Sequence, residues 1–137
     1  MDISNINKKA DLNEGHWIDD IPEMEGVRFK VRSTKYKPFK VATASLARRS
    51  GKKLRTAEGV VNFNVASGEA LAEHILLDWV GVMEGGKPLK FDPKKALAIL
   101  SADDDFGIGD TFRRGVEWAG DQAAERVAEQ AKEAAGN

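Results

Sequence analysis

The stretch of this sequence that comes nearest to a ligand-binding motif lies at residues 81–87. It reads Gly-Val-Met-Glu-Gly-Gly-Lys and matches the first seven positions of a nucleotide-binding phosphate loop. The next position of such a loop is Ser or Thr, whereas this chain has Pro88, which also lacks the N–H group that would bind phosphate. The stretch is also predicted to end a helix, not to open one. We therefore interpret it as a hinge between two helices, with no cofactor.

Three other features suggest chemistry but lack the partners that the chemistry needs. Asp105-Phe106-Gly107 is the metal-binding tripeptide of kinases, but no other kinase motif accompanies it. The carboxylates at 103–105 are consecutive, which is not the alternating spacing of a calcium loop. His16 and His74 lie far apart, and the chain has no cysteine. The sequence therefore predicts a protein that is not an enzyme, with no catalytic residue, metal or cofactor.

Charged residues are unevenly distributed along the chain. The N-terminal 66 residues hold 13 Lys and Arg against 8 Asp and Glu, whereas residues 67–137 hold 8 against 14. Residues 28–57 contain eleven basic side chains and no acidic one, including the pair Arg48 and Arg49. Such segregation favours a charged partner or self-association into a homo-oligomer. Aromatic side chains lie between these cations, as in many nucleic-acid-binding segments. Nucleic-acid binding by residues 28–55 is therefore a second, weaker hypothesis.

The first half of the sequence predicts a small β-hairpin followed by a helix. Residues 27–32 alternate apolar and basic side chains, which is the period of a strand with one buried face. Residues 17–18 supply the partner strand across a turn at residues 22–26. Pro38 suits the first turn of a helix that runs to about Arg49. Because an isolated hairpin is marginal in water, it must pack on helices or on another chain.

The second half predicts three further helices. Four large apolar side chains recur at every fourth position: Leu71, Ile75, Trp79 and Met83. This spacing predicts a helix over residues 68–83 with Ser67 as its N-cap, preceded at 61–65 by a short strand or extended loop. Asp92 and Pro93 predict a short helix to about residue 100, and a longer helix spans about residues 108–134. The predicted fold is α+β, mainly α: a small N-terminal β-hairpin packed on a bundle of about four helices.

The last predicted helix carries an apolar stripe and one aromatic residue outside it. The stripe consists of Phe112, Val116, Ala119, Ala123, Val127 and Ala134. On a helical wheel drawn at about 100° per residue, Trp118 lies outside this stripe and beside polar residues. It is either an anchor for a partner or a side chain buried against the hairpin or the second helix. We take six residues as candidates for partner binding: Trp79, Met83, Phe112, Trp118, Arg48 and Arg49.

Composition also bears on domain organisation and location. Residues 1–15 are polar and predict a flexible arm. Residues 16–137 predict a single α-rich domain, with a basic part at 16–66 and an acidic part at 67–137. The N-terminus lacks the apolar core of a signal peptide, and no apolar run approaches the ~20 residues that cross a bilayer. We expect a cytoplasmic protein without a membrane partner.

Residues 77–93 resemble the tail assembly chaperones of long-tailed bacteriophages of the siphophage type. The segment begins Leu-Asp-Trp-Val-Gly-Val and ends Gly-Lys-Pro-Leu-Lys-Phe-Asp-Pro. The shared pattern is a helix ending in an aromatic residue, a Gly-rich turn, and Pro-Leu-x-Phe-Asp opening a short helix before a longer terminal one. Segments 17–22 and 26–32 also fit, so the resemblance covers roughly residues 17–119.

The resemblance implies a non-enzymatic role. Such chaperones bind the long helical tape-measure protein before the tail tube polymerises around it, and they are absent from the finished virion. The tail tube protein is a further candidate partner, and a longer form is often made by ribosomal frameshifting. Two alternatives stay open: another tail component, such as a terminator or connector, and a small nucleic-acid-binding regulator.

Overall fold

The computed structural model describes residues 11–136, and within this part the chain forms four α-helices, a short 3-10 helix and two small sheets. In chain order the elements are β1 His16–Ile18, β2 Arg28–Val31, α1 Lys37–Ser50, the 3-10 helix Gly51–Arg55, α2 Ala57–His74, β3 Leu76–Val80, β4 Met83–Glu84, β5 Lys87–Pro88, α3 Pro93–Leu100 and α4 Ile108–Gly136. The α+β, mainly α fold with about four helices is confirmed. Most of the predicted flexible arm, residues 1–10, lies outside the described residues.

The predicted hairpin exists, and a third strand completes its sheet. Strands β1, β2 and β3 are antiparallel in that order, so β2 is central. Phe29 pairs with Ile18 on one side and with Trp79 on the other, and all three side chains are buried. Arg28 on β2 is exposed, as the alternation of apolar and basic residues predicts. The sheet therefore has one face in the core and one toward solvent.

The predicted helix over residues 68–83 is wrong at both ends. Helix α2 starts at Ala57, and its N-cap is Thr56, whose Oγ1 accepts a hydrogen bond from the Gly59 N–H at 3.0 Å; Ser67 is inside the helix. Residues 61–65, predicted as a strand or loop, are helical. The chain leaves the helix after His74 because residues 76–80 pair with β2, which satisfies the second edge of that strand.

Residues 81–87 are not a hinge between two helices. They follow strand β3 and form most of the hairpin β4–β5, in which Met83 pairs with Pro88 and Glu84 with Lys87. Gly85 and Gly86 make the turn with φ angles of 59° and 79°. Two consecutive residues with positive φ are what a tight two-residue hairpin turn requires, and glycine adopts that conformation without strain.

Helix α3 packs closely on α2 because α2 carries a glycine at the contact. A Cβ added to Gly68 would lie 1.8 Å from the backbone oxygen of Leu100. Asp92 is the predicted N-cap of α3, and its Oδ1 accepts a hydrogen bond from the Lys94 N–H at 3.0 Å. The short helix is therefore fixed at its start by its own cap and at its end by α2.

Arg113 on α4 holds the C-terminal end of α3. This side chain is buried, and its Nη1 donates to the carbonyl oxygens of Leu100 at 2.9 Å and Ala102 at 2.5 Å. The last carbonyl groups of a helix have no partner within the helix. A guanidinium from a neighbouring helix supplies that partner here, so Arg113 joins α3, the connecting loop and α4.

Helix α4 lies against the sheet along the predicted apolar stripe. The buried members of the stripe are Phe112, Val116, Ala119, Ala123 and Val127; the side chain of Ala134 lies outside the described residues. A Cβ added to Gly120 would lie 2.7 Å from the Thr34 methyl group, and the Gly120 carbonyl oxygen accepts a hydrogen bond from the Thr34 N–H at 3.1 Å. The Thr34 hydroxyl also donates to Asp121 at 2.7 Å. Gly120 therefore lets α4 approach the segment that follows β2 closely.

Replacing Gly68 with alanine should destabilise the protein strongly. The new methyl group would collide with backbone and not with a flexible side chain, so we expect Gly68→Ala to lower the free energy of unfolding by about 3 kcal/mol. Urea denaturation followed by circular dichroism measures it. Gly51→Ala is the matched control, since its Cβ would meet nothing within 4 Å. Equal stabilities for the two variants would contradict this account of the α2–α3 contact.

Glu117 should make the stability of the fold depend on pH. Burial raises the pKa of the Glu117 carboxyl, and the charge of Asp121 raises it further. The folded state thus binds this proton more tightly than the unfolded state, so wild-type stability increases as pH falls through the raised pKa. We expect Glu117→Gln to stabilise the protein at pH 7, by at most about 0.5 kcal/mol because the side chain is partly open to water.

The gain from Glu117→Gln should disappear below the ordinary pKa of glutamate, where the wild-type carboxyl is neutral in both states. Thermal unfolding of both proteins at pH 7 and pH 4 tests this. Glu125→Gln removes one charge from an exposed position of the same helix and is the control. A stability difference that is the same at both pH values would show that the carboxyl charge of Glu117 is not responsible.

Candidate partner-binding surfaces

A groove between α2 and α3 has an apolar floor and an acidic rim. It has a volume of about 460 Å³ and is lined by Glu69, Ala72, Glu73, Pro93, Leu97 and Ser101; we call it the α2–α3 groove. Leu97 is 44% exposed, whereas Ala96 and Leu100 on the same helix are buried. Glu69 and Glu73 are exposed at successive turns of α2. This combination suits an amphipathic helix that carries positive charge beside its apolar face.

A second groove, along α1, has the opposite charge. It has a volume of about 490 Å³ and is lined by Leu12, Lys35, Lys37, Lys40, Val41, Ala44 and Arg48; we call it the α1 groove. Val41 is 59% exposed in it. Helix α1 and the 3-10 helix after it contain seven Lys or Arg and no acidic residue. The α1 groove therefore offers an apolar contact surrounded by cations.

The loop between α3 and α4, residues 101–107, presents Phe106 to solvent; we call it the Phe106 loop. Phe106 is 93% exposed and has a φ of 62°, which is uncommon for a bulky residue. Asp104 holds the loop to the start of α4, since its carboxylate accepts from the N–H groups of Gly109 at 2.8 Å and Asp110 at 3.0 Å. Together with Arg113 at the other end, these bonds fix the position from which the ring projects.

A cleft lies beside Phe106, where the turn after β1 meets the start of α4. It has a volume of about 440 Å³, and Glu23, Met24, Phe106, Ile108 and Phe112 are among its lining residues. Ile108 is 68% exposed. Glu23 forms an ion pair with Arg114 of α4 at 2.7 Å. This hydrogen bond with Glu23 is the main cause that raises the pKa of the Arg114 guanidinium.

Two of the predicted partner-binding residues are in the core. Trp79 is 3% exposed, Phe112 is 7% exposed, and their ring centroids are 6.1 Å apart. The indole N–H of Trp79 donates to the carbonyl oxygen of Leu89 at 2.8 Å. Trp79 lies on strand β3, not on the predicted helix. Both side chains are buried, although Phe112 also lines the cleft beside Phe106, so we assign both to the core that supports these surfaces.

The other four predicted residues reach the surface to different extents. Met83 is 54% exposed on β4. Trp118 is half-buried and packs against the core, which favours the interpretation of a packed side chain. Arg48 and Arg49 are exposed in the last turn of α1. Arg48 lines the α1 groove, whereas Arg49 lines a smaller cleft between α1 and α2. Their roles in binding stay predictions.

Three exposed apolar residues dominate these surfaces, and none of them is among the six predicted partner-binding residues. Val41 follows Phe39 by two positions, so it lies away from the inner face formed by Phe39 and Leu46. The sequence predicts that Ala96, Leu97 and Leu100 all point inward from the short helix, which is wrong for Leu97, since it is 44% exposed. Phe106 was seen as part of an isolated tripeptide, although an aromatic side chain among three acidic residues and glycines already indicates exposure.

The described residues contain neither a metal-binding cluster nor a membrane-spanning helix. Nowhere among them do three or more His, Asp or Glu side chains gather in positions that would hold a metal ion. None of their helices is both long and apolar enough to cross a bilayer. Residues 81–87 lead from a strand into a hairpin instead of opening a helix, so they lack the helix N-terminus at which a phosphate loop binds its ligand.

Comparison with known proteins identifies the phage context of the chain. Residues 34–137, about three quarters of its length, match the family described as the YdaY prophage protein. The matched region starts after β2 and includes the four described α-helices, the α2–α3 groove, and the lining of the α1 groove except Leu12. No match was found among curated proteins or among solved structures. Because the family match covers well over half of the sequence, the chain belongs to the YdaY prophage protein family.

Proposed function

We propose that this protein is a non-enzymatic tail assembly chaperone of a prophage, which binds the tape-measure protein and keeps it soluble in the host cytoplasm. Membership in a prophage protein family supports a role in the phage life cycle. The resemblance of residues 77–93 to tail assembly chaperones supports the more specific role. The α2–α3 groove is the observation that carries the proposal, because it gives a helical partner a place to bind.

The segment that resembles the chaperones contributes Pro93 to this groove. Pro88 ends the β4–β5 hairpin, and Asp92 and Pro93 open α3, which forms one wall of the groove. On the other wall, Glu69 and Glu73 flank Ala72. A tape-measure protein is long and helical, so it exposes apolar helix faces until the tail tube surrounds it. A groove of this kind covers one such face and matches cationic side chains beside it.

The proposal excludes the protein from the finished particle. An assembly chaperone leaves when the tail tube polymerises, whereas a terminator or connector remains. Mass spectrometry of purified virions from the induced prophage therefore separates the two hypotheses. We expect peptides of the tape-measure and tube proteins but none of this chain. Stoichiometric amounts of this chain in particles would favour a structural tail component.

Co-expression with the tape-measure protein of the same prophage tests the proposal and the groove together. We expect wild-type protein to raise the soluble fraction of the tape-measure protein several-fold. Leu97→Asp should remove most of this gain, because it places an unpaired charge on the apolar floor and weakens binding by about tenfold or more.

Ala98→Asp is the matched control for Leu97→Asp. Ala98 is exposed on the same helix but is not among the residues that line the groove, so the two substitutions carry similar helix and charge penalties. A tape-measure protein that stays insoluble with wild-type protein would overturn the proposed function. If Leu97→Asp solubilises the tape-measure protein as well as the wild type does, the protein is a chaperone but the α2–α3 groove is not its binding site.

A further inference from the structure

Phe106 is held at a fixed place on the surface instead of being buried. The ring is 93% exposed, and Ile108, two residues later, is 68% exposed. Asp104 and Arg113 anchor the two ends of the Phe106 loop by hydrogen bonds to the backbone. A large apolar side chain on a rigid support loses little conformational entropy on binding, which is the property of an interface anchor.

Acidic groups surround this anchor. Asp103 and Asp105 precede Phe106 and are exposed, and Glu23 and Glu25 line the cleft beside it. Glu23 is paired with Arg114, which offsets one of these charges. The surface around Phe106 therefore keeps a net negative charge and would repel another acidic surface.

The α1 groove of the same chain has the complementary properties. Its apolar residues include the 59% exposed Val41, and its four charged residues are all cations. The groove has room for an aromatic side chain, at about 490 Å³. It shares no residue with the Phe106 loop or with the cleft beside it. Phe106 and Val41 are both exposed to solvent in a single copy, so the two side chains do not cover each other within one chain.

We infer that Phe106 and Ile108 of one copy insert into the α1 groove of a second copy, so that copies of this protein associate head to tail. Apolar anchors meet an apolar floor, and the aspartates around Phe106 meet Lys35, Lys37 and Lys40. Because the two surfaces differ, each copy can use both at once. Such a heterologous contact builds an open chain or a closed ring instead of a simple dimer. The association needs no tape-measure protein.

Analytical ultracentrifugation of the purified full chain tests whether it associates. We expect a mass above the 15.0 kDa of one chain that rises with protein concentration. Raising the salt concentration should lower it, since the charges around the anchor are exposed and screened. Phe106→Asn should weaken association by tenfold or more, and Asn tolerates the positive φ of this position better than Phe does. Val41→Glu, which places an acidic group in the α1 groove, should have the same effect.

Mixing the two variants tests the head-to-tail geometry. The Phe106→Asn copy keeps an intact α1 groove, and the Val41→Glu copy keeps an intact Phe106. Equal amounts should therefore form a one-to-one pair of twice the mass of one chain, and nothing larger, because only one functional interface can form. A symmetric interface that uses the same surface twice would give no such rescue.

Val60→Glu is the matched control, because Val60 is a 41% exposed helical valine outside the α1 groove. It should associate like the wild type, and circular dichroism should show all three variants folded. A wild-type protein that stays monomeric at 100 μM, or variants that associate unchanged, would overturn the inference. A further outcome is that the wild type is monomeric and binds single-stranded DNA at low salt, and that Val41→Glu abolishes this binding. That result would assign the α1 groove to nucleic acid and would also overturn the inference.

Discussion

The backbone carbonyl of Leu100 joins three helices at one point. It lies so close to Gly68 of α2 that a methyl group there would collide with it, and it accepts a hydrogen bond from Arg113 of α4. Only glycine permits α2 to come this close to the carbonyl group. The buried guanidinium of Arg113, in turn, needs several hydrogen-bond acceptors. Ser101, the residue after Leu100, lines the α2–α3 groove and is also the first residue of the Phe106 loop. Both surfaces are thus positioned by a single constraint in the core.

Local signals in the sequence were sufficient for the elements whose ends are set by their own residues. Alternation in β2, Pro38 in α1, Asp92 with Pro93 in α3 and the stripe of α4 all correspond to observed structure. In each case the caps or the period of side chains act within a few residues. These are the interactions that do not depend on where the rest of the chain lies.

Residues 57–80 show where local signals are not sufficient. Leu71 and Ile75 face the core from the end of α2 and the turn after it, and Trp79 faces the same core from β3. An apolar spacing of four fits a continuous helix and also fits a helix followed by a strand. Residues 76–80 form a strand because the free edge of β2 needs hydrogen-bond partners. That edge is far away in sequence, so the switch from helix to strand after His74 could not be read from residues 68–83 alone.

The binding surfaces were harder to predict from the sequence than the fold was, again because the outcome depends on residues that are far apart in sequence. The sequence showed which side chains are apolar but not which of them the fold leaves uncovered. Trp79 and Phe112, the most conspicuous candidates, stabilise the core, whereas Val41, Leu97 and Phe106 are open. Charge segregation was visible in the sequence, and the structure assigns it to specific places: cations around Val41, carboxylates around Phe106 and along one wall of the α2–α3 groove.

The two proposed interfaces use separate residues, which has a consequence for binding a long partner. The α2–α3 groove shares no lining residue with the α1 groove or with the cleft beside Phe106. Copies joined head to tail would each keep a free groove, and a long helical protein could engage several grooves at once. Each further contact would then be intramolecular, so weak individual grooves would hold the partner with high avidity. Growth of the tail tube could displace such contacts one at a time, because no single groove would need to bind tightly.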